Sequence, residues 1–212
     1  MNQPDIVYVV DDDSGARSAL VTIVESMQLK AVPCSDAEEF LTLFTEDSPS
    51  CLLTDLRMRG MSGLDLLRHM RASKRVVPTV IISGYAETPI AVDAMLAGAV
   101  TFLEKTASAK SISDAITVAL TLSRQLLARK AERTRIVTVW ASINAEERQI
   151  LHMVAQGKLN KEIAFQVGVP LRTIEDRRRR LMAKVGADSI ADLIRFAVRV
   201  EDLDQPSFID KV

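Results

Sequence analysis

The sequence predicts a five-stranded, doubly wound parallel α/β sheet, joined by a helical linker to a small all-helical domain. Three observations carry this expectation. Over the first 124 residues, short near-continuous apolar runs alternate with amphipathic stretches. After Asn144 the pattern becomes helical throughout, to about Val200. Between them, Ser123 to Val139 is rich in Leu, Ala, Arg and Lys and lacks Gly and Pro, so it reads as helix rather than tether.

The strands come first in the argument. Ile6-Val7-Tyr8-Val9-Val10, Cys51-Leu52-Leu53-Thr54 and Thr79-Val80-Ile81-Ile82 are apolar without alternation. Val100-Thr101-Phe102-Leu103 is a shorter run, and a weaker strand lies near Lys30 to Pro33. Unbroken apolarity is what strands buried on both faces of a parallel sheet require. Amphipathic helices are expected at about 14–27, 36–46, 63–73, 88–97 and 110–123, with Ser14, Ser35 or Asp36, and Ser62 as N-caps. Five βα units in series place ligands at the carboxyl ends of the strands. The expected divisions are a first domain over 1–124, a helical linker over 125–140, a helical domain over 141–200 and an acidic, loose tail over 201–212. Leu122, Leu126, Leu127, Ile136 and Val139 leave an apolar stripe along the linker. It can pair with a second copy or pack on the chain's own domains.

With 48% hydrophobic and 26% charged residues the composition is that of a globular domain protein, not a disordered one. Runs such as Val76 to Ile82 are far too short to span a bilayer, and the start of the chain shows no basic-then-apolar signal. Cys34 and Cys51 cannot make a disulfide framework. The expectation is a cytoplasmic protein with no membrane partner. The net charge of −1 conceals an asymmetry: residues 1–124 carry 11 Lys and Arg against 16 Asp and Glu, while residues 141–199 carry 11 against 7. A polyanionic partner therefore suits the back of the chain only.

Asp11, Asp12 and Asp13 follow directly on the first strand, and Asp55 directly on the third. In a parallel sheet these ends share an edge, so Asp11 or Asp12 can converge with Asp55. Clustered carboxylates repel unless a hard cation holds them, and an oxygen-only set suits Mg²⁺. Ser83 ends the fourth strand and Lys105 follows the fifth, adding a hydroxyl and a cation. A nucleophilic carboxylate, magnesium, a hydroxyl and a lysine together are what phosphoryl transfer to an aspartate needs. Singly, each residue is ordinary, and Asp13 reads as a helix cap. Four polar residues ending four buried strands are a pattern.

Val9-Val10-Asp11-Asp12-Asp13, Leu53-Thr54-Asp55-Leu56-Arg57-Met58, Ile82-Ser83-Gly84-Tyr85 and Phe102-Leu103-Glu104-Lys105 resemble the motif set of receiver domains, over roughly residues 4–124. Gly60 to Leu67 and Thr88 to Met95 are similar to the FixJ-type branch. The resemblance implies a CheY-like fold with Asp55 accepting phosphate from a sensor histidine kinase. It implies Mg²⁺ on Asp12 and Asp55 directly, on Asp11 through water, and on the backbone carbonyl of Arg57. Lys105 would contact the acyl phosphate, and Ser83 would move towards it and draw Phe102 into a buried rotamer. The slow self-hydrolysis expected of such a phospho-aspartate is regulation, not enzymatic turnover.

Two residues depart from the receiver pattern. Arg59 stands where Pro is usual, and Thr106 stands where Pro usually follows the lysine, typically after a cis bond. A cis bond before Thr106 would cost roughly 3–4 kcal/mol, against under about 1 before Pro. Either the loop holds a strained cis bond or it runs trans with Lys105 placed differently. Phosphorylation is expected to survive with an altered switch.

In the helical domain, Asn144 caps a helix that Gly157 ends. Asn160 to Val167 forms a short second helix, Gly168-Val169-Pro170 a tight turn, and Leu171 to Val185 a longer third, followed by a last helix from about Ser189 to Val200. Two helices across a Gly-containing turn, the second basic, are a helix-turn-helix. On the third helix, Ile174, Leu181 and Val185 face the core. Arg172, Glu175, Asp176 and Arg179 fall at i, i+3, i+4 and i+7 on another face, free to enter a DNA major groove. Arg177, Arg178 and Arg180 flank it and suit phosphates. Asn160-Lys161-Glu162-Ile163-Ala164 and Arg172-Thr173-Ile174-Glu175 are similar to the LuxR-type (NarL/FixJ) DNA-binding domain, over roughly 141–200, which adds Asn160, Lys161 and Thr173 to the expected contact set. Pro170, in place of a capping Ser, and the arginine run are its departures.

Together the two resemblances imply a transcription regulator of a two-component system that binds double-stranded DNA. They also imply a homodimer on phosphorylation, through the fourth helix and fifth strand. An Asp-based phosphatase is the enzymatic rival, but its nucleophile usually follows the first strand in an Asp-x-Asp motif. The other rival is a phosphorylation-independent DNA-binding protein with an atypical receiver, favoured only by Arg59 and Thr106.

Overall fold

Each apolar run becomes a strand. The structure, a computed structural model, describes residues 4–84 and 88–204. Tyr85 of the fourth-strand motif and all of the acidic tail beyond residue 204 lie outside the described residues. In chain order the first part runs β1 (Ile6–Val10), α1 (Ser14–Ser26), β2 (Lys30–Cys34), α2 (Ala37–Leu43), β3 (Ser50–Asp55), α3 (Gly63–Ala72), β4 (Thr79–Ser83), α4 (Thr88–Leu96) and β5 (Thr101–Glu104). α5 (Ala109–Ser142) leads into α6 (Ala145–Ala155), α7 (Asn160–Val167), α8 (Leu171–Val185) and α9 (Ile190–Glu201), closed by a 3-10 turn at Asp202–Asp204. Contacts divide the chain into Met1–Ala128 and Arg129–Val212.

In the first unit the strands form one parallel sheet in the order β2-β1-β3-β4-β5. Residue alternation sorts its two faces. Val7, Val9, Leu53, Val80 and Ile82 pack against Leu20 and Val24 of α1 and Ile112, Ile116 and Leu120 of α5. Tyr8, Val10 and Leu52 face the other way, onto Phe40 of α2 and Leu66 and Met70 of α3, and Ile81 meets Leu64 and Ala94 of α3 and α4. Burial of both faces is the reason the sequence shows no polar alternation in these strands.

Order 2-1-3 makes the β1–β3 boundary a switch point, with α1 leaving on one face and α3 on the other. Val10 pairs in register with Thr54, so Asp11 and Asp55 leave adjacent strands side by side. α3 then closes over β3. The Gly63 N–H donates to the Leu56 carbonyl at 3.1 Å, and a Cβ on Gly63 would lie 2.2 Å from the Asp55 carbonyl oxygen. Glycine is therefore required there for closeness, not for backbone angle.

The helix starts follow their caps. Asp13 accepts from the Ala16 N–H at 2.7 Å, Asp36 from Glu39 at 2.8 Å and Ser62 from Asp65 at 3.1 Å. Of the two caps expected for α2, Asp36 is the one used; α1 is capped by Asp13 and not by the expected Ser14, which is the first residue of the helix. α2 ends at Leu43, short of the expected 46, because Phe44 turns extended and buries its ring on Phe40 and Tyr8. α5 absorbs both the expected helix at 110–123 and the helical span after it.

In the second unit, Ile136 is buried and Val139 partly so, in a core with Ile150, Ile163, Ile174, Leu181 and Phe196. That part of the linker stripe packs on the chain's own helices. Asn144 and Glu147 form a reciprocal capping box on α6 (3.0 and 2.9 Å). Gly168 ends α7 in the left-handed conformation (φ +72°) that makes the turn into α8. Pro170 at the start of α8 gives no side-chain cap.

Candidate functional site

The strand ends bring Asp11, Asp12 and Asp55 together: one carboxylate oxygen from each lies within 4.8 Å of the others. Asp11 and Asp55 are buried and Asp12 is partly so. Asp11 Oδ1 accepts from the Asp13 N–H at 2.9 Å, and its Oδ2 from Lys105 Nζ at 2.8 Å. Lys105 Nζ also lies 3.3 Å from Asp55 Oδ2. Asp12 Oδ2 accepts both the backbone N–H and the Nε–H of Arg59, each at 3.2 Å.

β4 and β5 place the remaining members. The Leu56 N–H donates to the Ile82 carbonyl at 2.8 Å and the Lys105 N–H to the Ser83 carbonyl at 2.7 Å, tying the exits of β3, β4 and β5 into one edge. Ser83 is buried, Phe102 is half-buried beside α4, and Arg57 is exposed on the loop after β3. The bond between Lys105 and Thr106 is trans. Of the two arrangements left open by the sequence the loop adopts the trans one, and it still delivers Lys105 to the carboxylates. The Asp13 carboxylate caps α1 and is not one of the clustered carboxylates; only its backbone N–H reaches the cluster, at Asp11.

The electrostatics follow from burial. Desolvation pushes the Asp55 carboxyl above the ordinary range, Lys105 opposes this and Asp11 adds to it. For Lys105, burial works downward, but the hydrogen bond to Asp11 and the charges of Asp55 and Asp11 outweigh it and hold the ammonium above its usual value. Three carboxylates against Lys105 and the exposed Arg59 still leave an excess of negative charge in an all-oxygen donor set, which fits a hard divalent cation such as Mg²⁺.

The second unit presents α8. Arg172, Glu175, Arg179 and Arg180 are exposed, and Thr173 and Asp176 partly so. Asp176 pairs with Arg179 at 3.1 Å one turn on. Lys161 is exposed on α7. Other basic groups have structural partners: Arg177 lies 3.0 Å from Glu146, and Arg178 donates to Asn160 Oδ1 at 2.6 Å. Lys184 donates to both Glu147 oxygens at 2.8 and 2.7 Å, which brings the Glu147 pKa down. The exposed Arg172–Glu175–Arg179 face is thus separate from the side chains that bind α8 to its neighbours.

Residues 7–117 match the response regulator receiver domain family, and residues 142–197 match the luxR family of bacterial regulatory proteins. The chain belongs to the response regulators of two-component systems. The regulator is 33% identical to the response regulator protein TmoT of Ectopseudomonas mendocina, over 95% of this chain and 91% of that one. It is also 33% identical to the transcriptional regulatory protein FixJ of Azorhizobium caulinodans, over 91% of each. Among solved structures, the response regulator StyR superposes with a TM-score of 0.86 at 29% identity, covering 93% of this chain and all of that one. Full-length FixJ from B. japonicum gives 0.56 at 33% identity, over 96% and 100%. A receiver followed by a LuxR-type domain is the make-up of response regulators that act as transcription factors, with a histidine kinase and DNA as the implied partners. Among the described residues no helix is long and apolar enough to cross a membrane.

Sequence reasoning named every member of the acidic cluster but gave Arg59 no contact. It registered there only as a departure from the receiver pattern, and its approach to Asp12 depends on how the loop after β3 folds back.

Proposed function

We propose that Asp55 is the phosphoryl acceptor and that its modification controls DNA binding by α8. The observation that carries this is the convergence of Asp55 with Asp11, Asp12 and Lys105 at the β1–β3 switch point. A carboxylate oxygen of Asp55 attacks phosphorus, an O–P bond forms, and the N–P bond of the kinase phosphohistidine breaks, returning its electron pair to the imidazole. Lys105, already within 3.3 Å of Asp55, is placed to neutralise charge on the transferred group. Asp12 and Asp55, with Asp11 through water and the Arg57 carbonyl, would hold Mg²⁺, which when bound offsets phosphoryl charge. Ser83 and Phe102 form the switch: the hydroxyl at the end of β4 turns towards the new phosphate and Phe102, now half-buried, follows it inward. Slow hydrolysis of the acyl phosphate resets the protein.

Val92, Met95 and Leu96, all substantially exposed on one face of α4, supply an apolar surface for a phosphorylation-dependent homodimer. Two copies then present two α8 helices, with Arg172, Glu175, Asp176 and Arg179 reading bases, helped by Thr173. Lys161 and Arg180 serve the phosphate backbone; Arg177 and Asn160 join them by exchanging their pairings with Glu146 and Arg178 for phosphate. The setting is the cytoplasm, where the kinase output and the DNA are found.

Intact mass and DNA affinity, with and without acetyl phosphate and Mg²⁺, test this on wild type and Asp55→Asn. The expected result is a phosphoryl mass gain in wild type alone, with tighter DNA binding. DNA binding that is tight and unchanged, with no mass gain, would replace this reading by a phosphorylation-independent regulator.

A further inference from the structure

The three carboxylates of the pocket are divided between two protein cations. Lys105 takes Asp11 and Asp55, at 2.8 and 3.3 Å. Arg59 takes Asp12, through the backbone N–H and the Nε–H on the same oxygen, both at 3.2 Å. The Asp11 side chain is fully buried and that of Asp55 is 8% exposed, whereas that of Asp12 is 23% exposed. Asp12 is therefore the carboxylate that a cation arriving from solvent meets first, and Arg59 is already on it.

We propose that Arg59 is a built-in competitor for the divalent cation, holding Asp12 when the cation is absent and weakening its binding. The inference rests on the magnesium reading of this pocket given above. A dication reaching Asp12 must displace the guanidinium from Oδ2 or sit on the other oxygen beside a fixed positive charge, and either course costs affinity. The Arg59 side chain is 89% exposed, so its own pairing is weak and it withdraws readily. The effect is a lowered affinity rather than a blocked site. The loading of this receiver would then follow the free Mg²⁺ concentration over a higher range than the carboxylates alone would set. A residue without charge at position 59 removes half of the competition, and proline removes the backbone N–H as well.

The test is titration calorimetry of Mg²⁺ into the full chain, for wild type, Arg59→Ala, Arg59→Lys, Arg59→Pro and Asp12→Asn, at low and high salt. Arg59→Ala is expected to bind Mg²⁺ about fivefold more tightly than wild type, an estimate for one nearby charge largely screened by water. Arg59→Pro should bind at least as tightly, and Arg59→Lys, which keeps charge and N–H, within about twofold of wild type. The gain in Arg59→Ala should shrink at high salt, because a nearby exposed charge is screened. Asp12→Asn should weaken binding in every background. Wild-type binding with Arg59→Ala equal or weaker would overturn the proposal and leave the magnesium site standing. Arg59→Lys as tight as Arg59→Ala would overturn it too, since charge would not be the agent. No Mg²⁺ binding in wild type or any variant would remove both readings.

Discussion

As the proposed acceptor, Asp55 would serve two opposing requirements. A nucleophilic carboxylate must be ionised, yet the burial of this one penalises that charge. Burial raises its pKa, and Asp11 raises it further, while Lys105 pulls it back. A carboxyl whose folded pKa lies above its unfolded value of about 3.9 binds its proton more tightly when folded. Its contribution to stability is complete below the unfolded pKa and is lost as pH rises through the folded one. At pH 7 the ionised Asp55 is therefore a cost to the fold. Asp55→Asn is expected to melt about 4 °C above wild type at pH 7 in magnesium-free buffer, equivalent to about 1 kcal/mol. The difference should close as the pH falls towards 4, and Lys105 keeps Asp11 as a partner in the variant. Calorimetric melting over that pH range measures it. A lower melting temperature for Asp55→Asn at pH 7 would show that the Lys105 contact outweighs desolvation.

At the scale of elements, Glu147 ties two helices. It closes the capping box of α6 and receives Lys184 of α8 on both oxygens. Its pKa lies below the ordinary range, first through the hydrogen bond from Lys184, so its contribution is present above the unfolded pKa of about 4.3 and is lost as pH falls. Glu147→Gln, which can still close the capping box, is expected to destabilise the second unit by up to about 1 kcal/mol at pH 7, the worth of a partly exposed ion pair. As the pH falls below the ordinary carboxyl range its midpoint should converge on that of wild type. Urea unfolding at pH 7 and below that range distinguishes this from a packing defect, which would persist in acid. On the outer face of α8, Arg179→Ala is expected to weaken binding to the target sequence by roughly 1–3 kcal/mol and to relax discrimination. Arg180→Ala should weaken target and scrambled DNA alike and lower the salt slope by about one. Anisotropy titrations that show the same loss for both variants on both DNAs would rule out a base-reading role for Arg179.

The same scale shows what was legible. The strands could be read because both faces of the sheet are buried, which leaves a run such as Cys51–Thr54 without alternation. α7 and α8 could be bounded because Gly168 and the core positions Ile163, Ile174 and Leu181 fix them. The end of α2 could not, since Phe44 leaves the helix for a tertiary contact with Phe40 and Tyr8 that no local signal announces. The acidic cluster was readable because Asp11 directly follows β1 and Asp55 closes β3, and in a parallel sheet those ends share one edge. The contact between Arg59 and Asp12 spans 47 residues and depends on loop geometry, so spacing held no trace of it.

At the scale of the molecule, the acidic first unit and the basic second unit divide sensing from DNA contact, and the link between them must be a change in assembly or exposure. Val92, Met95 and Leu96 stand at i, i+3 and i+4 of α4, about 50% exposed for the first two and 77% for Leu96. Three apolar residues left to water on one helix face in a small receiver are the natural place for a second copy to bind. If the dimer forms there, its two-fold symmetry would present two α8 helices to half-sites related by the same operator, typically one helical turn of about 34 Å apart. Leu96→Asp would place a charge in that contact while leaving the carboxylate pocket untouched. The variant is expected to take up phosphate at Asp55 with the wild-type mass gain, yet to sediment as a monomer after acetyl phosphate treatment. Its affinity for a two-half-site DNA should fall by about tenfold or more, because the two sites no longer gain from linkage. Affinity for a single half-site should be unchanged. Sedimentation velocity and anisotropy on the same preparations measure both quantities. A phosphorylated Leu96→Asp that still dimerises would move the interface away from α4. A phosphorylated wild type that stays monomeric yet binds DNA more tightly would replace dimerisation with release of the second unit as the coupling.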